Sequence, residues 1–131
     1  MATLLIVDDD TLIRDTLHEF LSEKHECHTA DRAEQALSYL EVESYDAVIT
    51  DVSMPGLTGR EILIYVQNQH PTTPVIVISG KPDGADGKSL VEMGAFAYFT
   101  KPFQLDDIED AVTRAIAHHQ DLTAATSTSD S

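Results

Sequence analysis

Short aliphatic runs of strand length, each followed by a stretch with helical spacing, recur along the chain and restrict its fold. The runs are apolar at nearly every position: 3–7 (TLLIV), 46–50 (DAVIT), 74–79 (PVIVIS) and 96–100 (FAYFT), with a weaker run at 26–30 (ECHTA). Strands that are apolar on both faces are typical of a parallel sheet covered by helices. Five repeats of strand and helix therefore predict a single doubly wound (βα)5 domain of the α/β class, with a central five-stranded parallel sheet and helices on both faces.

The stretches between the runs carry apolar residues at the spacing of amphipathic helices. The stripes are, in chain order, Ile13, Leu17, Phe20 and Leu21; Ala33, Ala36, Leu37 and Leu40; Ile62, Leu63 and Val66; and Leu105, Ile108, Val112, Ala115 and Ile116. Asp10 is expected to cap the first helix. Asp31 is expected to cap the second, with Glu34 completing a capping box.

The fourth helix is expected to be short because Gly84 and Gly87 lie in its predicted range. Each glycine costs about 1 kcal/mol relative to alanine inside a helix. We predict that this helix runs from about Asp86 to Met93 and has a mobile entry.

Composition narrows the class of protein. The chain has 131 residues, which suits one domain, and 23 acidic against 8 basic residues give a formal charge of −15. Such a charge repels phosphate backbones, so we expect no direct binding of nucleic acid. No apolar run has the roughly 20 residues of a membrane helix, and the N-terminus does not read as a signal peptide. With a single cysteine, a cytoplasmic location is expected, without membrane contact.

Cysteine and histidine offer no metal site in the sequence. Cys27 lies in a predicted strand and is interpreted as a small core residue. The six histidines are scattered without the spacing of a zinc site, and they are interpreted as surface residues.

Polar residues follow four of the predicted strands. Asp8 and Asp9 follow the first strand, Asp51 the third and Lys101 the fifth, and Ser79 closes the fourth. The carboxyl ends of parallel strands share one edge, where ligands of open α/β sheets bind. The sequence therefore predicts that three carboxylates, a hydroxyl and an ammonium group meet there.

Three clustered carboxylates need a cation. At about 4 Å each pair repels by about 4 kcal/mol at an effective dielectric constant near 20. Lys101 supplies one positive charge. A hard divalent cation would supply the rest, and Mg²⁺ suits one or two carboxylates together with water and a phosphoryl oxygen.

Four segments then show a family resemblance. IVDDD, VITDVSMPG, VIVISG and YFTKPF, in this order, resemble the signatures of two-component response-regulator receiver domains of the CheY-like superfamily. The resemblance covers residues 3 to 119 and implies the strand order 2-1-3-4-5. It implies a receiver domain over residues 1–121, followed by a disordered polar tail or the start of a linker over 122–131.

The resemblance assigns roles in metal binding. Asp51 resembles the phosphoacceptor, and Asp9 and Asp51 resemble direct ligands of Mg²⁺, with Mn²⁺ as an alternative ion. The backbone carbonyl of Ser53 is implied as a further ligand, and Asp8 as a ligand that acts mainly through a bound water.

The resemblance also implies contacts to the phosphoryl group. Lys101 would pair with one of its oxygens and Ser79 would hydrogen-bond another. Tyr98 resembles the switch aromatic that turns inward as Ser79 moves. The peptide bond before Pro102 is usually cis in the family. Lys81 lies two residues beyond Ser79, where family members vary.

The implied function is a phosphoacceptor domain of a two-component phosphorelay, not a classical enzyme, although it assists its own phosphorylation and dephosphorylation. Its implied partners are a sensor histidine kinase or a histidine phosphotransfer protein, and a downstream target or C-terminal effector that the sequence does not identify. Phosphorylation would switch the face made by the fourth helix, fifth strand and fifth helix, and dimerisation on phosphorylation is one expected form of the output.

Two other functions are weighed against this one. An aspartyl-nucleophile phosphatase also places Asp-x-Asp after a first strand, but its pattern wants Thr or Val where this chain has Leu12. An interaction module that works without phosphorylation could use the same fold, but it would not need the intact set of acids, Ser79 and Lys101.

Overall fold

Five parallel strands form the centre of the molecule in a computed structural model that describes residues 2–52, 59–80 and 90–129. The strands are β1 (Thr3–Val7), β2 (Glu26–Ala30), β3 (Ala47–Asp51), β4 (Val75–Ser79) and β5 (Ala97–Thr100). Their order across the sheet is β2-β1-β3-β4-β5, and every neighbouring pair is parallel. The predicted fold class and strand order are confirmed.

Helices connect the strands. They are α1 (Thr11–Leu21), α2 (Ala33–Val42), α3 (Gly59–Gln69), α4, described at residues 90–92, and α5 (Leu105–Ser129). Most of the fourth helix predicted from about Asp86 to Met93, together with its entry, lies outside the described residues. None of the helices in the described ranges is long and apolar enough to cross a membrane.

Both faces of the sheet are buried, which explains the continuous aliphatic runs. Leu5 and Val7 of β1 point into a core layer shared with α2 and α3, whereas Leu4 and Ile6 point into a second layer shared with α1 and α5. Burying one such side chain contributes roughly 1.5–3 kcal/mol. β1, an interior strand of the sheet, can therefore contribute to both layers only if it contains almost no polar residue before its end.

The helix caps match the sequence at α1 but not at α2. Asp10 is the N-cap of α1, and its carboxylate accepts a hydrogen bond from the N–H of Leu12 (3.0 Å), as predicted. The predicted capping box of Asp31 and Glu34 is wrong, because α2 has Arg32 as its N-cap and no side-chain cap. The N–H of Asp31 instead donates to the side chain of Gln35 (3.0 Å). The side chain of Gln35 therefore bonds the backbone just before the helix.

The C-terminal helix is longer than the sequence suggested. A disordered tail or linker was expected over residues 122–131, but α5 continues to Ser129. The segment 122–129 contains neither glycine nor proline and includes two alanines, so no residue in it ends a helix by itself. The boundary of the receiver domain at residue 121 stays a prediction.

Three histidines are not the surface residues that the sequence suggested. His28, His70 and His119 are half-buried and each bonds a distant residue: Tyr45 Oη (2.8 Å), the carbonyl of Leu40 (2.8 Å) and the carbonyl of Thr72 (2.7 Å), respectively. A fourth, His25, is half-buried as well, and its Nδ1 accepts from the N–H of Ala2 (3.5 Å). Cys27 is half-buried against the α1 and α5 side of the core, as interpreted, and burial raises the pKa of its thiol.

Candidate functional site

The strand register brings the predicted site residues to one edge of the sheet. Asp51 is the last residue of β3 and pairs with Ile78 of β4, one position before Ser79. Ser79 pairs with Thr100 of β5, and Lys101 comes next. Asp8 directly follows β1, whose last residue pairs with Thr50 of β3. Four segments that are far apart in the chain therefore end side by side.

The three carboxylates form one cluster. One oxygen from each of Asp8, Asp9 and Asp51 lies within 4.8 Å of the other two. Asp8 and Asp51 are buried, with 1% and 3% of their surfaces exposed, whereas Asp9 is open to solvent. Their proximity is the arrangement that the sequence predicted.

Lys101 lies against two of these carboxylates. Its ammonium group donates a hydrogen bond to Asp51 Oδ2 (3.1 Å) and pairs with Asp8 Oδ2 at 3.0 Å. The loop between β5 and α5 that carries Lys101 contains a cis Lys101–Pro102 peptide bond, as the resemblance implied. Lys101 is therefore within reach of any group that binds between Asp8 and Asp51.

The electrostatics of the cluster favour an additional cation. Burial raises the pKa of Asp8 above its ordinary value of 3.8, and the charge of Asp51 adds to the rise, against the opposing effects of the Asp10 N–H and Lys101. Burial lowers the pKa of Lys101, but the hydrogen bonds and charges of Asp8 and Asp51 outweigh it, so the pKa is raised overall. Lys101 supplies one positive charge to three carboxylates, which leaves the group short of positive charge.

The donor set fits a hard divalent ion such as Mg²⁺. Oxygen is the ligand atom that Mg²⁺ prefers, and three carboxylate oxygens point to one place. Asp8 Oδ2 is buried, and within the described part of the chain its partner is the ammonium group of Lys101 at 3.0 Å. That oxygen retains lone pairs for a metal-bound water. Ser53, whose carbonyl the resemblance implied as a ligand, lies outside the described residues.

Ser79 and Tyr98 occupy different surroundings. Ser79 is buried, and its carbonyl accepts a hydrogen bond from the N–H of Lys101 (2.8 Å), which ties the end of β4 to the lysine. Tyr98 packs partly against the α2 and α3 side of the core, and its hydroxyl is buried without a hydrogen bond to any residue that the structure describes. Lys81 lies outside the described residues.

Sequence reasoning missed Gly59, the first residue of α3. A Cβ at this position would lie 2.5 Å from the carbonyl oxygen of Asp51 and 2.9 Å from a methyl group of Val52. Only glycine lets α3 begin this close to the end of β3. The available signal was a glycine placed directly before a helical stripe.

Sequence reasoning also missed Arg14. Its guanidinium lies in the first turns of α1 and reaches back to the carbonyl oxygen of Asp8, with Nη1 2.8 Å away. The available signal was the spacing, since a long cationic side chain one turn into a helix can cover the loop before that helix.

Comparisons with known proteins agree with this geometry. A family model described as the response regulator receiver domain matches residues 4–113. The DNA-binding transcriptional regulator NtrC of Klebsiella pneumoniae is 35% identical over 117 residues, which are 88% of this chain and 25% of that protein. The crystal structure of a response regulator receiver domain protein from Clostridium thermocellum has a TM-score of 0.87 at 31% identity, covering 93% of this chain and 99% of that one. The response regulator TrrA of Thermotoga maritima, solved in complex with Mg²⁺ and BeF, has a TM-score of 0.78 at 30% identity, covering 88% and 99%.

The doubly wound fold and the acidic site with its paired lysine, at the carboxyl ends of the strands, together define the class of receiver folds to which the comparisons point. The chain belongs to the family of response regulator receiver domains. It spans about a quarter of the length of the curated relatives it matches.

Proposed function

We propose that this chain is a phosphoacceptor domain of a two-component system and that Asp51 receives the phosphoryl group. The observation that carries the proposal is the convergence on Asp51: Lys101 lies 3.1 Å from its carboxylate, and the carboxylates of Asp8 and Asp9 lie within 4.8 Å of it. A buried carboxylate that contacts a fixed cation and belongs to a metal-ligand set is arranged for attack on a phosphoryl group.

The transfer is a displacement at phosphorus. An oxygen of Asp51 forms a new P–O bond to a phosphoryl group carried by a histidine of a sensor kinase or a phosphotransfer protein. The P–N bond of that phosphohistidine breaks, and the electron pair stays on the histidine nitrogen, which takes up a proton. The product is an acyl phosphate on Asp51. Lys101 is placed to pair with an oxygen of the transferred group.

Asp9 and Asp51 would hold Mg²⁺ directly, Asp8 would act through a water, and Mn²⁺ would be an alternative ion. Bound there, the metal would supply positive charge to the oxygens of the phosphoryl group. Of the chain's own groups, Asp8 and Asp51 both contact Lys101, so the same acids that bind metal also fix the lysine. The related structure of TrrA in complex with Mg²⁺ and BeF supports this use of the site.

The output is proposed to follow from Ser79 and Tyr98. Ser79 would hydrogen-bond the phosphoryl group, and Tyr98 would turn inward, which biases the face made by α4, β5 and α5. The unpaired hydroxyl of Tyr98 supports this step, since no hydrogen bond to a described residue opposes its movement. The NtrC relatives are DNA-binding transcriptional regulators, and the matched region is a quarter of their length, so the output is proposed to pass through further domains in a cytoplasmic protein.

The test is chemical phosphorylation with phosphoramidate and Mg²⁺, followed by intact mass. The wild-type chain should gain about 80 daltons, one phosphoryl group, and Asp51→Asn should gain none while keeping its circular dichroism spectrum. Asp15→Asn, an exposed acid on α1, is the matched control and should be phosphorylated like the wild type. No mass gain in the wild type would support the phosphorylation-independent module. A phosphoryl group mapped to Asp8 would support the phosphatase.

A further inference from the structure

We propose that Arg14 is a positioning residue for the metal ligands at this site: it fixes the peptide plane between Asp8 and Asp9 and so aims the carboxylate of Asp9. This inference rests on the proposed function, since it concerns the same cation site. Arg14 touches none of the reacting atoms and would act entirely through the two aspartates.

The contacts of Asp8 show how closely the loop is held. Its N–H donates to the carbonyl of Ala30 (3.2 Å), and its Oδ1 accepts from the N–H of Asp10 (2.9 Å). Its carbonyl oxygen accepts from Arg14 Nη1 at 2.8 Å. Arg14 is thus the side chain that holds the backbone carbonyl of Asp8, and it is itself half-buried, with Nη2 lying 3.4 Å from the hydroxyl of Thr11.

That carbonyl belongs to the peptide group joining Asp8 to Asp9. Because the peptide group is planar, a hydrogen bond to its oxygen also fixes the direction of the N–Cα bond of Asp9. Asp9 needs this help, because its carboxylate is exposed and makes no hydrogen bond with the described residues. The orientation of its ligand oxygen therefore depends on the backbone, and Arg14 holds that backbone from one side while Asp10 caps α1 on the other.

A donor that orients a metal ligand has a measurable effect on affinity. Substitutions in such partners typically weaken metal binding by about 10- to 100-fold. The contact here runs to a backbone carbonyl and not to the ligand oxygen, so we expect the lower end of this range. Arg14 also carries a positive charge, and the test must separate its charge from its hydrogen bond.

The experiment measures Mg²⁺ affinity of the metal-free protein by isothermal titration calorimetry, with the amide resonance of Asp9 followed by NMR. Arg14→Met removes both donor and charge, and the Kd for Mg²⁺ should rise about tenfold, with a shifted Asp9 amide already in the absence of metal. Arg14→Lys keeps the charge and one donor and should recover most of the affinity. Arg114→Met removes the same charge from the exposed pair with Asp110 on α5, and its Kd should match the wild type.

Phosphorylation kinetics separate positioning from general damage. Arg14→Met should need more Mg²⁺ for half-maximal phosphorylation by phosphoramidate, yet reach a rate close to that of the wild type when Mg²⁺ saturates. A misfolded variant would lose the maximal rate as well. The difference in Kd should persist at about 0.5 M salt, where the screening length is about 4 Å.

Three results would overturn the proposal: a Kd of Arg14→Met within twofold of the wild type, a difference that vanishes at high salt, or an Arg14→Lys variant as weak as Arg14→Met. If Arg14→Met does not fold, Arg14→Ala replaces it, since alanine is the better helix former. It also lacks the donor and the charge, and a Kd within twofold of the wild type with an unshifted Asp9 amide would overturn the proposal. Failure of the wild type to bind Mg²⁺ would instead overturn the proposed function.

Discussion

Tyr45 shows how a single buried polar group ties two parts of the fold together. It is fully buried, with 1% of its surface exposed, and its hydroxyl lies 2.8 Å from His28 Nδ1 on the edge strand β2. If the hydroxyl donates, the proton of the imidazole sits on Nε2, which faces a carboxylate oxygen of Glu26 at 3.4 Å. The tyrosine therefore links the start of β3 to the sheet edge through one satisfied contact.

Burial raises the pKa of Tyr45 from 10.0 to about 12, which predicts a loss of stability in alkali. Between these values the folded protein keeps a proton that the unfolded chain releases, so the free energy of unfolding falls as the pH rises, by an amount of the order of 2 kcal/mol. Urea unfolding at pH 9 to 12 should show this fall in the wild type.

The variant Tyr45→Phe isolates that effect. It should be less stable at pH 8 by about 1 kcal/mol, because His28 loses its partner, but its stability should fall less between pH 10 and pH 12. Absorbance at 295 nm should show a late ionisation from Tyr45 in the wild type that is missing in the variant. Equal slopes for the two proteins would contradict the prediction.

The sequence was informative at the residue scale where chemistry and strand ends coincide. Asp8 and Lys101 directly follow strands and Asp51 ends one, so the topology of a parallel sheet was enough to bring them together. Arg14 and Gly59 were missed because each acts on a backbone carbonyl, and residue type alone does not reveal such a contact. His28 and Tyr45, which bond each other, are 17 residues apart in the chain, and no spacing rule predicts such a pair.

At the scale of elements, α5 depends on a contact between residues far apart in the chain. Among residues 105–124 of this helix the last fully buried side chain is Ala115, although the helix continues to Ser129. Beyond Ala115, His119 donates from Nδ1 to the carbonyl of Thr72 (2.7 Å), and its Nε2 lies 3.4 Å from Asp46 Oδ1. The other oxygen of Asp46 accepts from the N–H of Thr3 (2.7 Å). This histidine therefore anchors the later turns of α5 to the residues at the start of β1 and β3.

Replacing His119 with alanine should loosen the later turns of α5. The lost hydrogen bonds are worth about 1 kcal/mol, which corresponds to about fivefold faster amide exchange for residues 116–122. Alanine is a better helix former than histidine, so helix propensity alone would slow the exchange. Loss of the anchoring hydrogen bonds would instead speed it up, so the direction of the change distinguishes the two effects. Gln120→Ala, at an exposed neighbouring position, is the control and should not accelerate exchange. Unchanged or slower exchange in His119→Ala would contradict the anchoring role.

Strands were easier to predict than helix ends for a physical reason. β1 and β2 have the predicted bounds, β4 and β5 begin one residue later than predicted, and β3 is shifted by one residue at both ends. The near-continuous burial of β1, β3 and β4 leaves a continuous apolar run that marks these strands in the sequence. The start of α2 was placed on Asp31 because aspartate is a good cap, but the chain stays extended through Arg32. The end of α5 was missed because neither glycine nor proline marks it.

The whole molecule combines a strongly acidic chain with a site that concentrates negative charge. The formal charge is −15, and Asp8 and Asp51 are both buried beside one lysine. The raised pKa of Asp8 means that its ionised form is disfavoured in the folded state. Without metal, ionised Asp8 should therefore lower the stability of the entire domain, and the same charge should make the domain respond to Mg²⁺.

The sign of this effect follows from proton binding. Because the folded state holds a proton on Asp8 at pH values where the unfolded chain has released it, the free energy of unfolding falls as the pH rises from 3.8 through the raised pKa of the folded state. The other carboxylates of the chain titrate in the same range. The difference between the wild type and a variant without the Asp8 carboxylate therefore isolates this residue.

Replacing Asp8 with asparagine should stabilise the metal-free domain at pH 7 by about 1 kcal/mol, as removal of a costly buried charge often does, and should remove most of the response to Mg²⁺. At a concentration of 100 times its Kd, Mg²⁺ should raise the free energy of unfolding of the wild type by about 2.7 kcal/mol. Asp15→Asn makes the same change in net charge at an exposed position and should keep the full response. Urea unfolding with and without Mg²⁺ measures the stability of all three proteins. A metal-free Asp8→Asn variant that is less stable than the wild type would contradict this prediction. It would show that Asp8 stabilises the fold as a partner of Lys101.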